Sequence, residues 1–129
     1  MIKLAAFDVD GVMTDGSITY DENGVEYKTF NAKDGQGIVF LNKAGIVTAI
    51  ITGRENGTVA CRAKNLGIKE LHQGVKDKIK KLDEILAKYG FSYDEVAYIG
   101  DDLPDLCILQ KVKFSACPAD AVDEVRASV

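Results

Sequence analysis

Long apolar runs are missing from this 129-residue sequence, and so is any excess of basic residues. A membrane-spanning helix needs about 20 consecutive apolar residues, and no stretch of the chain approaches that length. The chain begins with strand-like residues and not with a charged segment before a long apolar one, so we expect no secretory signal. The net charge of −4, with both signs mixed along the chain, gives no footprint for nucleic acid. We therefore expect no membrane and no nucleic acid among the partners.

Histidine and cysteine are scarce as well. The one histidine, His72, cannot supply a histidine-rich metal site, and we place it at a strand edge or in a loop. Cys61, Cys107 and Cys117 are odd in number and form no C-x-x-C pair. This usage is typical of reduced thiols in the cytoplasm, where we expect this protein, and we predict that all three cysteines pack in the core.

The rest of the composition is ordinary for a globular protein, with 47% apolar and 28% charged residues. We take residues 1–129 as a single domain with a sizeable core. Predicted strands cover residues 4–7, 46–51, 69–73, 96–99 and 113–117. Predicted helices cover about 34–45, 55–66, 75–89 and 106–110, and another begins within 121–129. This alternation predicts an α/β fold with a doubly wound, mostly parallel sheet and helices on both faces.

Residues 16–30 interrupt the alternation with a predicted β-hairpin. Side chains alternate around the dipeptide Asn23-Gly24, which is a strong short-range hairpin signal. The segment carries more apolar and aromatic side chains than a lone hairpin needs, namely Ile18, Tyr20, Val25, Tyr27 and Phe30. Because a two-stranded ribbon is marginal alone in water, we expect it to pack on the body or on another subunit.

The end of the first strand carries the strongest functional signal. An apolar run over residues 4–7 leads into Asp8 and Asp10, followed by Gly11. Two carboxylates crowded at one strand end raise each other's pKa unless a cation lies between them, and Mg²⁺ prefers such oxygen ligands. The alternative is a solvated, aspartate-rich turn with no function.

Other polar groups follow later strands, and in parallel sheets ligands bind beyond the carboxyl ends of the strands. Asp101 and Asp102 follow one strand, Thr52-Gly53 follows another, and Lys78 lies early in a helix. Acids with Mg²⁺, a hydroxyl, backbone amides and an ammonium suit a phosphoryl group. Each group also has a plain interpretation: Thr52-Gly53 as a turn, Lys78 as part of a solvated face, and Gly100-Asp101-Asp102 as a helix cap.

Four ordered motifs resemble phosphatases of the haloacid dehalogenase superfamily: D-V-D-G-V (8–12), I-I-T-G-R (50–54), D-K (77–78) and Y-I-G-D-D (98–102). Within that superfamily the chain is most similar to the capless subgroup typified by 3-deoxy-D-manno-octulosonate (KDO) 8-phosphate phosphatase. Further shared strings are F-D-V-D-G-V-M-T-D-G, K-D-G-Q-G-I, R-A-K-N-L-G-I and Q-G-V-K-D-K. The resemblance covers essentially the whole chain and implies a Rossmann-like core without a cap domain.

The resemblance implies roles for the catalytic and metal-binding residues. Asp8 would be the nucleophile, forming an aspartyl-phosphate, and a Mg²⁺ ligand. Asp10 would be general acid and then base, with its main-chain carbonyl on the metal. Asp101 would be the third protein contact to Mg²⁺, with Asp102 just behind it. This division is physically reasonable, because a carboxyl group off the metal can keep its proton.

The resemblance also implies how the substrate is held. Thr52 and Gly53 would hold the phosphoryl oxygens and Lys78 would offset their charge. Arg54, and more weakly Arg62, would read the carboxylate of a sugar-acid phosphate such as KDO 8-phosphate. The alternative substrate is a nine-carbon sugar-acid 9-phosphate.

The resemblance implies a homotetramer in which the hairpin packs between subunits and helps to cover the neighbour's site. Members usually continue with a further short strand and a glycine-rich tail, which are absent before the last residue, Val129. We interpret the chain as either a truncated or a natural short form.

Two functions from other classes remain open. An inactive or regulatory domain of the same fold has the same motifs. A phosphorylation-switch receiver has the same size and residue types, but its phosphorylated aspartate follows the third strand, where this chain has Gln73-Gly74.

Overall fold

Five parallel strands form the central sheet of the computed structural model, which describes residues 1–129. The strands are β1 (Leu4–Phe7), β4 (Val47–Ile51), β5 (Glu70–His72), β6 (Val96–Ile99) and β7 (Phe114–Ala116), while β2 (Thr19–Tyr20) and β3 (Glu26–Tyr27) form a separate hairpin. The spatial order of the five is β5-β4-β1-β6-β7, and every neighbouring pair runs in the same direction. The strand at the centre, β1, is the one that ends at the acidic motif, so this motif lies in the middle of the carboxyl edge.

Five helices cover the two faces of the sheet, which confirms the doubly wound α/β prediction. They are α1 (Ala32–Lys43), α2 (Gly57–Leu66), α3 (Lys78–Tyr89), α4 (Leu106–Leu109) and α5 (Asp123–Arg126). One apolar core joins α3, α4 and α5 to alternate residues of the strands, including Leu4, Ala49 and Tyr98. A second, smaller core joins α1 and α2 to the opposite face through Val9 and Ile50. No helix is both long and apolar enough to cross a membrane.

The predicted hairpin is present as a small separate sheet. Strands β2 (Thr19–Tyr20) and β3 (Glu26–Tyr27) pair antiparallel, and the turn between them contains Gly24 at φ +79°. No other element stands between β1 and α1, so the body has no cap domain in this connection.

Several local predictions are corrected at the level of single residues. Helix α3 begins at Lys78 and not near Val75, because the Asp77 side chain caps it by accepting the Lys80 backbone N–H. Helix α1 begins at Ala32, where Asn31 supplies the cap. The apolar spacing of residues 38–41 allows Phe40 to face inward on α1, but in the structure Phe40 is 59% exposed.

The cysteine prediction is wrong for two of the three thiols. All three are free, but Cys61 and Cys107 are exposed on α2 and α4. Only Cys117 packs against the larger core.

Candidate active site

A cleft of about 390 Å³ lies where the loops after β1, β4 and β6 meet the start of α3. It brings together eight of the nine predicted site residues and neighbours that the sequence did not single out. The cleft is lined by Asp8, Asp10, Gly11, Gly16, Thr52, Gly53, Arg54, Val75, Lys76, Lys78, Asp101, Asp102 and Pro104. Four acids and three bases therefore line one small space.

Asp8 is buried at the carboxyl end of β1. One carboxylate oxygen accepts the Val9 backbone N–H at 2.7 Å, and the other lies 3.2 Å from Lys78 Nζ. Burial raises the pKa of the Asp8 carboxyl to about 7, and the opposing attraction of Lys78 only partly offsets this. The group is thus a desolvated carboxylate whose charged form depends on cations nearby.

Lys78 is the cation that the structure places against Asp8. It is the first residue of α3 and is only 6% exposed, with its ammonium 2.7 Å from Asp105 and 3.2 Å from Asp8. Burial alone would lower the pKa of Lys78, but the two carboxylates outweigh burial and raise it. The ammonium therefore stays charged and aimed into the cleft, and the interpretation of Lys78 as part of a solvated face is wrong.

Asp105 is a buried acid that sequence reasoning missed. It accepts hydrogen bonds from Lys78 Nζ at 2.7 Å, from the Tyr98 hydroxyl at 2.6 Å and from the Asp101 backbone N–H at 3.0 Å. Burial raises the pKa of this carboxyl, but the charge of Lys78 and these hydrogen bonds outweigh burial and lower it. The signal was available, because acids at 102 and 105 have the spacing of a capping box, and the structure forms that box.

Asp8, Asp101 and Asp105 form an acidic cluster, with one oxygen of each within 4.8 Å of the others. Asp105 already serves Lys78 and Tyr98, so Asp8 and Asp101 have the oxygens available for a cation. Burial, with the charges of Asp105 and Asp102, raises the pKa of the Asp101 carboxyl to about 6. Hard divalent cations prefer such oxygen donors, so this donor set fits Mg²⁺.

Asp102 and the Thr52-Gly53 pair complete the walls of the cleft. Asp102 is exposed, and its side chain caps the short 3₁₀ turn Leu103–Asp105. Thr52 is 2% exposed at the end of β4, and its backbone is fixed by hydrogen bonds with His72 and Val75. Thr52 thus contributes a residue with a fixed backbone and a hydroxyl group to the lining of the cleft.

The side chain of Asp10 lies outside the acidic cluster, against the hairpin. Lys28 Nζ donates to Asp10 at 2.5 Å and to Glu26 at 2.8 Å. Glu26 in turn accepts from Arg54 at 2.5 Å, and Arg54 also contacts the Tyr20 hydroxyl at 3.3 Å. A chain of alternating charges therefore joins Asp10 to Arg54 through the hairpin, and sequence reasoning identified neither Lys28 nor Glu26.

Arg62 is the predicted site residue that the structure places elsewhere. It lies between α1 and α2, where its guanidinium stacks 5.8 Å over the Phe30 ring and donates to the Asn31 carbonyl at 3.4 Å. An added Cβ on Gly35 would meet the Arg62 Nη2 atom at 2.4 Å, so the two helices close tightly around it. These contacts are structural, and none of them faces the cleft.

The fold and the cleft together define a Rossmann-like α/β protein with an acidic cluster and a buried lysine at the carboxyl edge of its sheet. A family-wide sequence model of haloacid dehalogenase-like hydrolases matches residues 70–129. Two solved structures are similar to almost the whole length of this chain, and this chain covers about three quarters of each of them. The chain belongs to the haloacid dehalogenase-like hydrolase family.

Individual relatives are similar well beyond the shared motifs. The 3-deoxy-D-manno-octulosonate 8-phosphate phosphatase KdsC of Escherichia coli K12 is 43% identical over 120 residues, 93% of this chain. The Moraxella catarrhalis phosphatase of that name, solved with magnesium, phosphate and KDO, is 43% identical with a TM-score of 0.96 over 98% of this chain and 73% of its own. The cobalt-bound Haemophilus influenzae phosphatase is 38% identical with a TM-score of 0.94 over 99% of this chain and 75% of its own. The chain spans 64% of the length of the curated relatives it matches.

Proposed function

We propose that the chain is a Mg²⁺-dependent phosphate monoester hydrolase that acts through an aspartyl-phosphate on Asp8. The observation that carries the proposal is the buried Asp8 carboxylate, held 3.2 Å from the Lys78 ammonium at the carboxyl end of the central strand. Relatives solved with magnesium and phosphate, or with cobalt, support the same assignment.

The proposed reaction gives Asp8 and Asp10 separate roles. The Asp8 carboxylate attacks phosphorus, the ester P–O bond breaks, and the leaving oxygen takes a proton from the Asp10 carboxyl. Asp10, now a carboxylate, accepts a proton from the water that attacks phosphorus in the second step. That attack releases phosphate and restores the Asp8 carboxylate, so one water is consumed in each turnover.

Charge balance explains the remaining groups of the cleft. Mg²⁺ bound by Asp8, Asp101 and the Asp10 main-chain carbonyl would offset the charge of the phosphoryl oxygens, with Asp102 behind the ligands. Lys78, Thr52 and the Gly53 amide bind the same oxygens from the opposite side. Asp105 acts through Lys78, because it holds the ammonium in the direction of Asp8.

We propose a sugar-acid phosphate of the KDO 8-phosphate type as substrate, in the cytoplasm, where the three free cysteines stay reduced. All three relatives described above bear an octulosonate 8-phosphate phosphatase name, and Arg54 at the rim of the cleft suits a substrate carboxylate. The position of Arg62 argues for a structural role instead. A phosphate-release screen that includes the eight-carbon and nine-carbon sugar-acid phosphates decides the substrate.

We further propose that four chains associate through the hairpin. Four of its side chains, Ile18, Tyr20, Val25 and Tyr27, are each more than half exposed, although each strand pairs over only two residues. So small a ribbon with so much exposed apolar surface is suited to packing between subunits.

Replacement of the nucleophile tests the proposed function. Asp8→Asn should lower Mg²⁺-dependent hydrolysis of p-nitrophenyl phosphate by more than about 10³-fold, because an amide cannot attack phosphorus. Acid-quenched wild-type protein should carry one phosphoryl group on the peptide containing Asp8, as measured by mass spectrometry. Asp94→Asn, the same change at an exposed site outside the cleft, is the control and should keep the wild-type rate. A wild-type rate in Asp8→Asn would contradict the proposal.

A further inference from the structure

Lys28 is a buried cation that the proposed mechanism does not use. It lies on the short segment after β3, yet its side chain is only 2% exposed. Lysine is almost never fully buried unless it is paired, and here the partners are Asp10 at 2.5 Å and Glu26 at 2.8 Å. Burial lowers the pKa of Lys28, but these hydrogen bonds outweigh burial and raise it, so the ammonium stays charged.

Asp10 depends on this contact with Lys28 more than Lys28 depends on Asp10. The hydrogen bond from Lys28 is the only one that the Asp10 side chain receives, and that side chain is 26% exposed. Without Lys28 the carboxyl group would be free to change rotamer or to turn toward solvent. Lys28 by contrast is fixed by Glu26, which is also held by Arg54 at 2.5 Å. The direction of the Asp10 carboxyl is therefore set by the hairpin.

We propose that Lys28 is a positioning residue that holds the Asp10 carboxyl in line with the leaving oxygen of the substrate. This inference rests on the proposed function, in which Asp10 gives its proton to the ester oxygen as the P–O bond breaks. Lys28 keeps all three of its protons and forms no bond to substrate. The hairpin thereby contributes to proton transfer although none of its residues touches the reacting atoms.

The leaving group distinguishes this role from a merely structural one. Phenolate, whose conjugate acid has a pKa of about 10 like tyrosine, departs far more readily when it is protonated. p-Nitrophenolate is a much weaker base and departs without that help. A misplaced Asp10 therefore slows kcat/KM for phenyl phosphate more than for p-nitrophenyl phosphate, because this ratio reports the steps up to leaving-group departure.

The test measures kcat/KM of Lys28→Met on both aryl phosphates. We expect the loss for phenyl phosphate to exceed the loss for p-nitrophenyl phosphate by at least about tenfold, part of the 10²–10⁴ that proton transfer contributes. Lys28→Arg should recover most of the kcat/KM on phenyl phosphate that Lys28→Met loses, because arginine keeps a hydrogen-bond donor and the positive charge. Lys43→Met, at an exposed lysine near the end of α1, is the control and should leave unchanged the ratio of the kcat/KM values for the two aryl phosphates. Equal losses on both substrates would overturn the proposal.

A double-mutant cycle adds a second criterion. In an Asp10→Asn background, Lys28→Met should cause little further loss on phenyl phosphate, since the group it positions is gone. Full additivity of the two single-variant losses would overturn the proposal. A loss of activity in Lys28→Met that is confined to substrates with a carboxylate would also overturn it, because Lys28 would then be a substrate-binding residue. Where thermal unfolding shows that Lys28→Met is not folded, Lys28→Gln replaces it. Asp8→Asn tests the proposed function separately, because it should abolish turnover whatever the leaving group.

Discussion

At the scale of single residues, the buried Asp105 carboxylate supports the whole cleft. Asp105→Asn removes the charge that pairs with Lys78 at 2.7 Å and leaves that ammonium without its nearest partner. Breaking one side of a buried ion pair costs roughly 3 kcal/mol, and the misplaced ammonium should also lower kcat. Urea unfolding and p-nitrophenyl phosphate turnover measure the two effects. Asp120→Asn is the control, since Asp120 is exposed, and equal urea midpoints for the two variants would contradict the prediction.

A second residue, Glu70, links stability to pH at a distance from the cleft. Burial raises its pKa, but hydrogen bonds from Lys88, Tyr89 and His72 outweigh burial and hold the pKa at about 2, against 4.5 for an ordinary glutamate. Because the folded pKa is the lower one, the carboxylate stabilises the fold above pH 4.5, and this contribution disappears as the pH falls toward 2.

Glu70→Gln should therefore lower the free energy of unfolding by roughly 2 kcal/mol at neutral pH, because the substitution removes charge-assisted hydrogen bonds. The cost should shrink as the pH is lowered through the acid range, because the wild-type protein then loses the same interactions. Urea midpoints of both proteins between neutral and acid pH provide the measurement, with Glu124→Gln at an exposed site as the control. Parallel midpoint profiles would rule out this assignment.

At the scale of elements, the loop after β1 requires glycine at position 11 for two separate reasons, its backbone conformation and its closeness to Asp101. Gly11 has φ +83°, and a Cβ there would lie 1.9 Å from an Asp101 carboxylate oxygen. Gly24 in the hairpin turn has φ +79° and nothing within 4 Å of the same added atom. Alanine at either position costs about 1 kcal/mol in backbone strain, but only at Gly11 must Asp101 also move.

The two alanine variants thus form a matched pair. Gly11→Ala should raise the Mg²⁺ concentration for half-maximal phosphatase activity by about tenfold, whereas Gly24→Ala should leave it near the wild-type value. Both should lose similar stability in urea. A metal dependence that changes equally in both variants, or in neither, would show that Asp101 does not hold the cation in the proposed way.

Helices and strands with a clear apolar pattern were predictable, whereas helix ends that depend on a capping side chain were less so. Val47–Ile51 is buried at every residue and follows directly from its β-branched run. The start of α3 did not follow from its apolar spacing, because the cap at Asp77 overrides the periodicity and places Lys78 first. Asp105 was missed for a related reason, since it lies just before the predicted helix over 106–110 and its capping contacts are not visible in the apolar spacing.

At the scale of the whole molecule, parallel topology made the place of the cleft predictable. The loops after β1, β4 and β6 meet at one edge, so their acids and hydroxyl were expected together before their contacts were known. The hairpin network was beyond such reasoning, because Lys28 is 18 residues from Asp10 and Arg54 is 28 residues from Glu26. No local pattern encodes pairings of that separation, and two-residue strands do not set how the ribbon bends over the body.

The same hairpin carries the proposed association of four chains. If four chains pack through it, wild-type protein should sediment at four times the chain mass of 14.0 kDa. The double variant Val25→Ser, Tyr27→Ser removes two half-exposed apolar contacts outside the charge network and should sediment as a single chain. Phe40→Ser, which removes an equally exposed aromatic ring from α1, should keep the wild-type mass in analytical ultracentrifugation. An unchanged mass for the double variant, or dissociation by Phe40→Ser, would place the contact between chains on another surface.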